Sequence, residues 1–157
     1  MNKLAAVLRS EDGFTLLEMA CVLTVVAILA AVVLPRVPRG TSLPRLEAYA
    51  IEAAAILKAD RTEAMKAGRQ IATSIDATAR SIRSGVNGRT VQVADDVVMT
   101  AMLPERCNDR PAMSTVSFFS NGTSCGGLIA LLRGDRGYEI HVNWLTGGVE
   151  IVARGQS

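Results

Sequence analysis

An α+β architecture follows from three features of this 157-residue sequence. An unbroken apolar run lies near the N-terminus, an amphipathic helical stretch follows it, and short β-prone runs punctuated by turn residues fill the remainder. The first two make a long N-terminal helix, and the third makes an antiparallel sheet or sandwich on which its second half packs. The length supports one compact domain plus one extra hydrophobic element, because domains usually hold about 100 to 150 residues.

The apolar run spans residues 14–34, with Glu18 as its only charge and Thr15 and Thr24 as its other polar residues. As a helix rising about 1.5 Å per residue it reaches roughly 32 Å, enough for a bilayer core of about 30 Å. The preceding segment, residues 1–13, carries Lys3 and Arg9. Short cytoplasmic flanks favour basic residues, so this flank stays inside and the C-terminal domain crosses the membrane. An ordinary secretory signal is cut after its apolar stretch at small residues, and the sequence from Leu34 to Arg39 offers no such pattern. The apolar run therefore stays in the mature chain. A lipid attached at Cys21 fits no better, because Glu18 stands where an apolar residue is wanted and most of the apolar run follows the cysteine. Cys21 reads as a small apolar helix residue.

Pro35, Pro38 and Gly40 interrupt the helix, since proline removes a backbone donor and clashes with the preceding turn. Residues 35–68 then continue it as a kinked, amphipathic second half. Helical order resumes near Ser42, a cap residue, and stops at Gly68. Leu46, Tyr49, Ala50, Ala53, Ile56 and Leu57 fall on one face at three-and-four spacing and read as core.

Residues 69–157 form the β domain. Strands are expected at 70–76, 81–84, 90–94, 97–103, 115–119, 128–132, 138–144 and 149–153, with Asn87-Gly88, Asn121-Gly122 and Gly147-Gly148 supplying tight turns. In the last hairpin, Tyr138, Ile140, Val142 and Trp144 alternate with Glu139, His141 and Asn143. A strand there buries the first set and turns the sole histidine outward.

Composition narrows the function. The formal net charge is +2, too small for a surface that neutralises many phosphates, so nucleic acid is not an expected partner. No nucleophile and base, paired carboxylates or metal-ligand set stands out, and no cofactor is expected. Asp95 and Asp96 are adjacent, and adjacent strand residues point to opposite faces, so they read as a solvated turn. With Cys21 in the apolar run, Cys107 and Cys125 are the only pair in the β domain. A disulfide between them and two buried free thiols are both open, and export to an oxidising compartment favours the disulfide.

The string Gly13-Phe14-Thr15-Leu16-Leu17-Glu18-Met19, with the apolar run behind it, resembles the class III signal of type IV pilins and type II secretion pseudopilins. The resemblance implies a pilin-like fold and a leader, residues 1–13, cut between Gly13 and Phe14 by a prepilin peptidase that also methylates the new Phe14 amine. It implies that Glu18 meets the amino terminus of a neighbouring subunit. Pro35 also matches a position where this family often carries proline. Physical chemistry agrees, since a carboxylate near the start of a membrane helix is costly unless it finds a cationic or hydrogen-bonding partner.

The stretch from Ser117 to Ile129, continuing through Tyr138–Asn143 to Thr146–Val149, resembles the C-terminal domain of the H-type minor pseudopilins, the GspH/FimT family. The implied role is a subunit of a periplasmic pseudopilus supporting export across the outer membrane. Other pseudopilins and an inner-membrane assembly platform would be its partners, and residues 14–34 its single-pass inner-membrane anchor. A minor type IV pilin of pilus assembly or DNA uptake is the alternative. Major pseudopilins carry an acid-rich calcium loop near the C-terminus, whereas here only Glu150 follows Trp144.

Replacing Gly13 with a bulky residue should block leader removal. Electrophoresis of the cell-expressed chain should show only the longer precursor, and normal processing would contradict the class III reading.

Overall fold

The computed structural model describes residues 15–33 and 40–155. The chain divides into two units, residues 1–39 and residues 40–157.

The first unit contains helix α1, Leu16–Val33. Thr15 caps it: the Glu18 amide donates to the Thr15 carbonyl at 3.0 Å and to its Oγ1 at 3.2 Å, satisfying an amide that a helix start leaves without a partner. The breaker residues 35–39 lie outside the described residues.

The second unit begins with α2, Leu43–Ala67, entered from an extended Ser42 and closed by Gly68 in the left-handed region (φ 62°). Leu46, Ala50, Ala53 and Leu57 are fully buried, with Tyr49 and Ile56 nearly so, as the three-and-four spacing requires. The strands are β1 (Ile71–Asp76), β2 (Ser81–Arg83), β3 (Thr90–Gln92), β4 (Val98–Met102), β5 (Arg106–Cys107), β6 (Arg110–Pro111), β7 (Thr115–Phe118), β8 (Gly127–Arg133), β9 (Arg136–Val142) and β10 (Val149–Arg154). They form two four-stranded sheets, in the orders β3-β2-β1-β7 and β10-β9-β8-β4, with β5-β6 as a separate hairpin. Every pairing is antiparallel. The apolar stripe of α2 shares one core with Ile71, Ile75, Ile82, Val116 and Phe118 of the first sheet and with Ile129, Leu131, Ile140 and Val142 of the second.

One buried charge ties this core together. Strand β1 alternates buried and exposed residues, and its inward row is Ile71, Thr73, Ile75. Thr73 is thus a hydroxyl among hydrocarbons, and Asp60 of α2, itself fully buried, answers it. Thr73 Oγ1 donates to Asp60 Oδ2 at 2.7 Å, Ser84 Oγ to Oδ1 at 2.5 Å, and the Gly85 amide to Oδ2 at 2.8 Å. Gly85 lies so close to β1 that an added Cβ would sit 2.2 Å from the Ala72 carbonyl oxygen. Only glycine brings its amide within reach of the carboxylate. At the next position on α2, Arg61 Nε donates to the Gly122 carbonyl at 3.0 Å and Nη2 to the Thr146 carbonyl at 2.9 Å. That side chain holds the β7–β8 and β9–β10 connections to the helix.

The structure departs from the sequence reading in three places. Strand β9 ends at Val142, and Trp144 is 67% exposed rather than buried. Asn143 causes this: its Oδ1 accepts the Leu145 amide at 2.9 Å and the Thr146 amide at 3.0 Å, an Asx-type turn that ends the strand one residue before the tryptophan. Hairpin β5–β6 was not anticipated; its turn residues Asn108 and Asp109 both have positive φ (50° and 61°), as a tight two-residue hairpin demands. Finally, Asp95 and Asp96 do lie in a turn, but they are not merely solvated: Asp95 pairs with Arg80, and Asp96 binds Thr41 and Arg133.

Asp60→Ala strips the acceptor from three donors, two of them hydroxyls that are themselves buried, and should destabilise the protein by about 3 kcal/mol, with Asp60→Asn costing less because the amide still accepts. Urea unfolding of the detergent-solubilised chain measures both. Arg61→Met keeps the stem but loses both hydrogen bonds and should cost about 1–2 kcal/mol. Hydrogen exchange should rise most at residues 121–124 and 144–148.

Candidate functional site

Gly13 and Phe14, the expected cleavage and methylation positions, lie outside the described residues. The described site begins at Thr15 and runs along α1. Glu18 occupies the first turn, where the unpaired amides and the helix dipole favour a negative charge. Sequence reasoning missed Thr15 as the cap, although Thr-x-x-Glu ahead of an apolar run is the recognised start signal.

Along α1 the large hydrocarbon side chains are exposed among the described residues. Leu16 is 92% exposed, Leu23 66% and Ile28 60%, and the helix is apolar on all sides rather than along one stripe. A helix apolar all round is stable only where lipid or other helices cover it. Among the described residues no helix is long and apolar enough to cross a membrane. The 18 residues of α1 rise about 27 Å, against a hydrocarbon core of about 30 Å. The run expected to span, residues 14–34, extends past the described helix at both ends.

In the β domain Cys107 and Cys125 are joined by a disulfide, with Cα atoms 5.9 Å apart and a sequence separation of 18. It fastens hairpin β5–β6 to the segment entering β8. A loop of about 15 residues closed this way gains about 3 kcal/mol in the chain-entropy model. Cys21 is a free, exposed thiol on α1.

No described cluster is arranged for catalysis. Glu139 accepts from Arg154 at 3.0 Å and lies 3.0 Å from His141 Nε2, an outward-facing charge network on cross-strand neighbours. Among the described residues no group of His, Cys, Asp or Glu could hold a metal ion. A cleft at the start of α2 is lined by Leu43, Pro44, Glu47, Arg136, Tyr138 and Arg154. Burial, and then the Glu47 carboxylate, pushes the Tyr138 phenol above its ordinary value, so it stays protonated at neutral pH.

Comparison with known proteins agrees with this geometry. Residues 8–34 match the prokaryotic N-terminal methylation motif. The chain is 28% identical over 150 residues to the type II secretion system protein H of Xanthomonas campestris pv. campestris, covering 94% of this chain and 88% of the relative. Among solved structures it is similar to the minor pseudopilin EpsH of the Vibrio cholerae type II secretion system, at 14% identity and a TM-score of 0.54 over 68% of this chain and 95% of that one. It is equally similar to the type IV minor pilin FimU of Pseudomonas aeruginosa, at 18% identity and a TM-score of 0.54 over 73% of this chain and 95% of that one. At these identities the two structures establish the fold. The chain thus carries a prepilin-type N-terminal methylation motif, has the fold of the EpsH and FimU structures, and is similar to a type II secretion system protein H over 94% of its length.

Proposed function

We propose that the chain is an H-type minor pseudopilin of a type II secretion system, acting by assembly rather than catalysis. It is made with the leader 1–13, cut by prepilin peptidase between Gly13 and Phe14, and methylated on the Phe14 amine. Residues 14–34 hold it in the inner membrane with the β domain in the periplasm. The assembly platform then moves it into a pseudopilus beside other pseudopilins, which supports export across the outer membrane.

The observation that carries this reading is α1 itself: a capped helix, apolar on every side, with large exposed hydrocarbon side chains and one acid in its first turn. A simple anchor has no use for that acid. A helix that leaves lipid to pack among identical or related helices does, because the carboxylate then meets the amine of a neighbouring Phe14 and each charge loses its desolvation cost in the other's presence. The likeness to a type II secretion protein H over 94% of the chain supports the choice of machine. The FimU fold supports the second reading, a minor type IV pilin, in which the same anchor serves a pilus.

Glu18→Ala should leave membrane insertion and leader cleavage intact and lower incorporation into sheared filament fractions by at least tenfold. Glu18→Asp should recover part of it. Normal incorporation of the alanine variant would show that the acid is merely solvated.

A further inference from the structure

The chain passes from the linker 34–39 into the β-bearing unit at Gly40, and the structure grips it there before α2 begins. All three polar groups of Thr41 are taken. Its amide donates to Asp96 Oδ2 at 2.6 Å, its hydroxyl donates to Asp96 Oδ1 at 2.6 Å, and its carbonyl accepts from Arg133 Nη1 at 2.5 Å. Arg133 Nε closes the cluster on Asp96 Oδ2 at 3.3 Å. Gly40 has φ +129°, and an added Cβ would lie 2.5 Å from Arg133 Nη2 and 2.9 Å from Asp96 Oδ2. A side chain there would push apart the pair that holds the next residue. Thr41 is 8% exposed.

Helix α2, by contrast, is weakly secured at this end. Ser42 makes no side-chain capping hydrogen bond and no acid is present in the first turn, so neither a cap nor a favourable charge reinforces it. Pro44 presets the backbone there but adds no bond that would resist a pull. Tension arriving through residues 34–39 would otherwise fall on that first turn and peel α2 from the sheets one turn at a time.

We propose that Gly40, Thr41, Asp96 and Arg133 form a mechanical fastening that diverts tension from the membrane-helix linker into the second sheet, past the start of α2. Asp96 stands in the turn leading into β4, and Arg133 ends β8. These strands pair along five positions, from Val98 with Leu132 to Met102 with Leu128, so the load reaches a sheet rather than a helix end. The inference rests on the anchored reading above, in which the domain is drawn along as α1 leaves the bilayer. The hydroxyl and amide of Thr41, and more weakly the Arg133 guanidinium, hold the Asp96 carboxyl below the usual carboxylate range. A carboxyl lowered on folding contributes above its unfolded value, near 4, and loses that contribution as pH falls through the folded value. The fastening is therefore intact at neutral pH.

The test is single-molecule pulling of the full chain in detergent micelles, with handles at residues 36 and 157 in a Cys21→Ala background. The parent should open in one step. Asp96→Ala and, separately, Arg133→Met should add an earlier, lower-force event that releases α2. Hydrogen exchange without load provides the second readout: amides of residues 41–47 should exchange at least tenfold faster in both variants, with those of β1 and β9 unchanged. A single step at the parent's force would overturn the proposal, as would an equal acceleration of exchange across the whole domain, which would mark the cluster as general fold stabilisation. Because the pull is made in micelles, failure here is distinct from failure of the secretion reading, which leader processing tests.

Discussion

Asp60 sits fully buried on the inner face of α2, and a charge in that position is tolerated only when every lone pair that faces the core meets a donor. The donors come from three separate places: the middle of β1, the end of β2, and the Gly85 amide at the turn into β3. The register of helix and first sheet is therefore strongly specified, because a shift of one residue along β1 would turn Thr73 to the outer face and cost the carboxylate one of its three donors. Arg61, the next residue along the helix, applies the same logic on its other side, taking carbonyls from the two long connections that border the second sheet. Two adjacent charged residues of one helix thus set where both sheets lie. The apolar stripe supplies adhesion, and these two residues supply position.

The division of labour between the two units follows from how each treats its hydrocarbon. In the second unit the stripe of α2 is consumed by the sheets, and the domain is complete in itself. Helix α1 exposes its hydrocarbon instead, so its stability calls for apolar surroundings. In the proposed role, lipid would meet that need before assembly and neighbouring helices afterwards, with Glu18 distinguishing the second environment from the first. The disulfide between Cys107 and Cys125 ties a short hairpin to the segment entering β8, and the proposed periplasmic location would keep it oxidised.

Much of this was legible in the sequence because its strongest signals are periodic. The three-and-four stripe from Leu46 to Leu57 marked the face of α2, and β-prone runs between Asn-Gly and Gly-Gly pairs marked eight of the strands to within two residues. What escaped was set by single polar side chains acting across long separations. Asp60 looked like one more helix acid, because nothing local shows that Thr73, Ser84 and Gly85 converge on it. Asp96 looked like a solvated turn residue, because its partners lie 55 residues before it and near the end of β8. Trp144 was assigned to the core by alternation, and Asn143 ended the strand first. The turn at Asn108 and Asp109 carried a readable signal, two residues tolerant of positive φ side by side, yet the strands it joins are too short to show periodicity. For the proposed assembly site, the Gly13–Met19 string was fully visible, and within it the Thr-x-x-Glu signal of the Thr15 cap was readable but overlooked.

The central claim is that this chain enters the membrane as a prepilin and leaves it as a filament subunit. N-terminal mass spectrometry of the protein extracted from native membranes tests it most directly. The account predicts a mature chain beginning at N-methylated Phe14. A chain retaining Met1, or one cut after Leu34, would contradict it and leave an anchored or secreted β domain in its place.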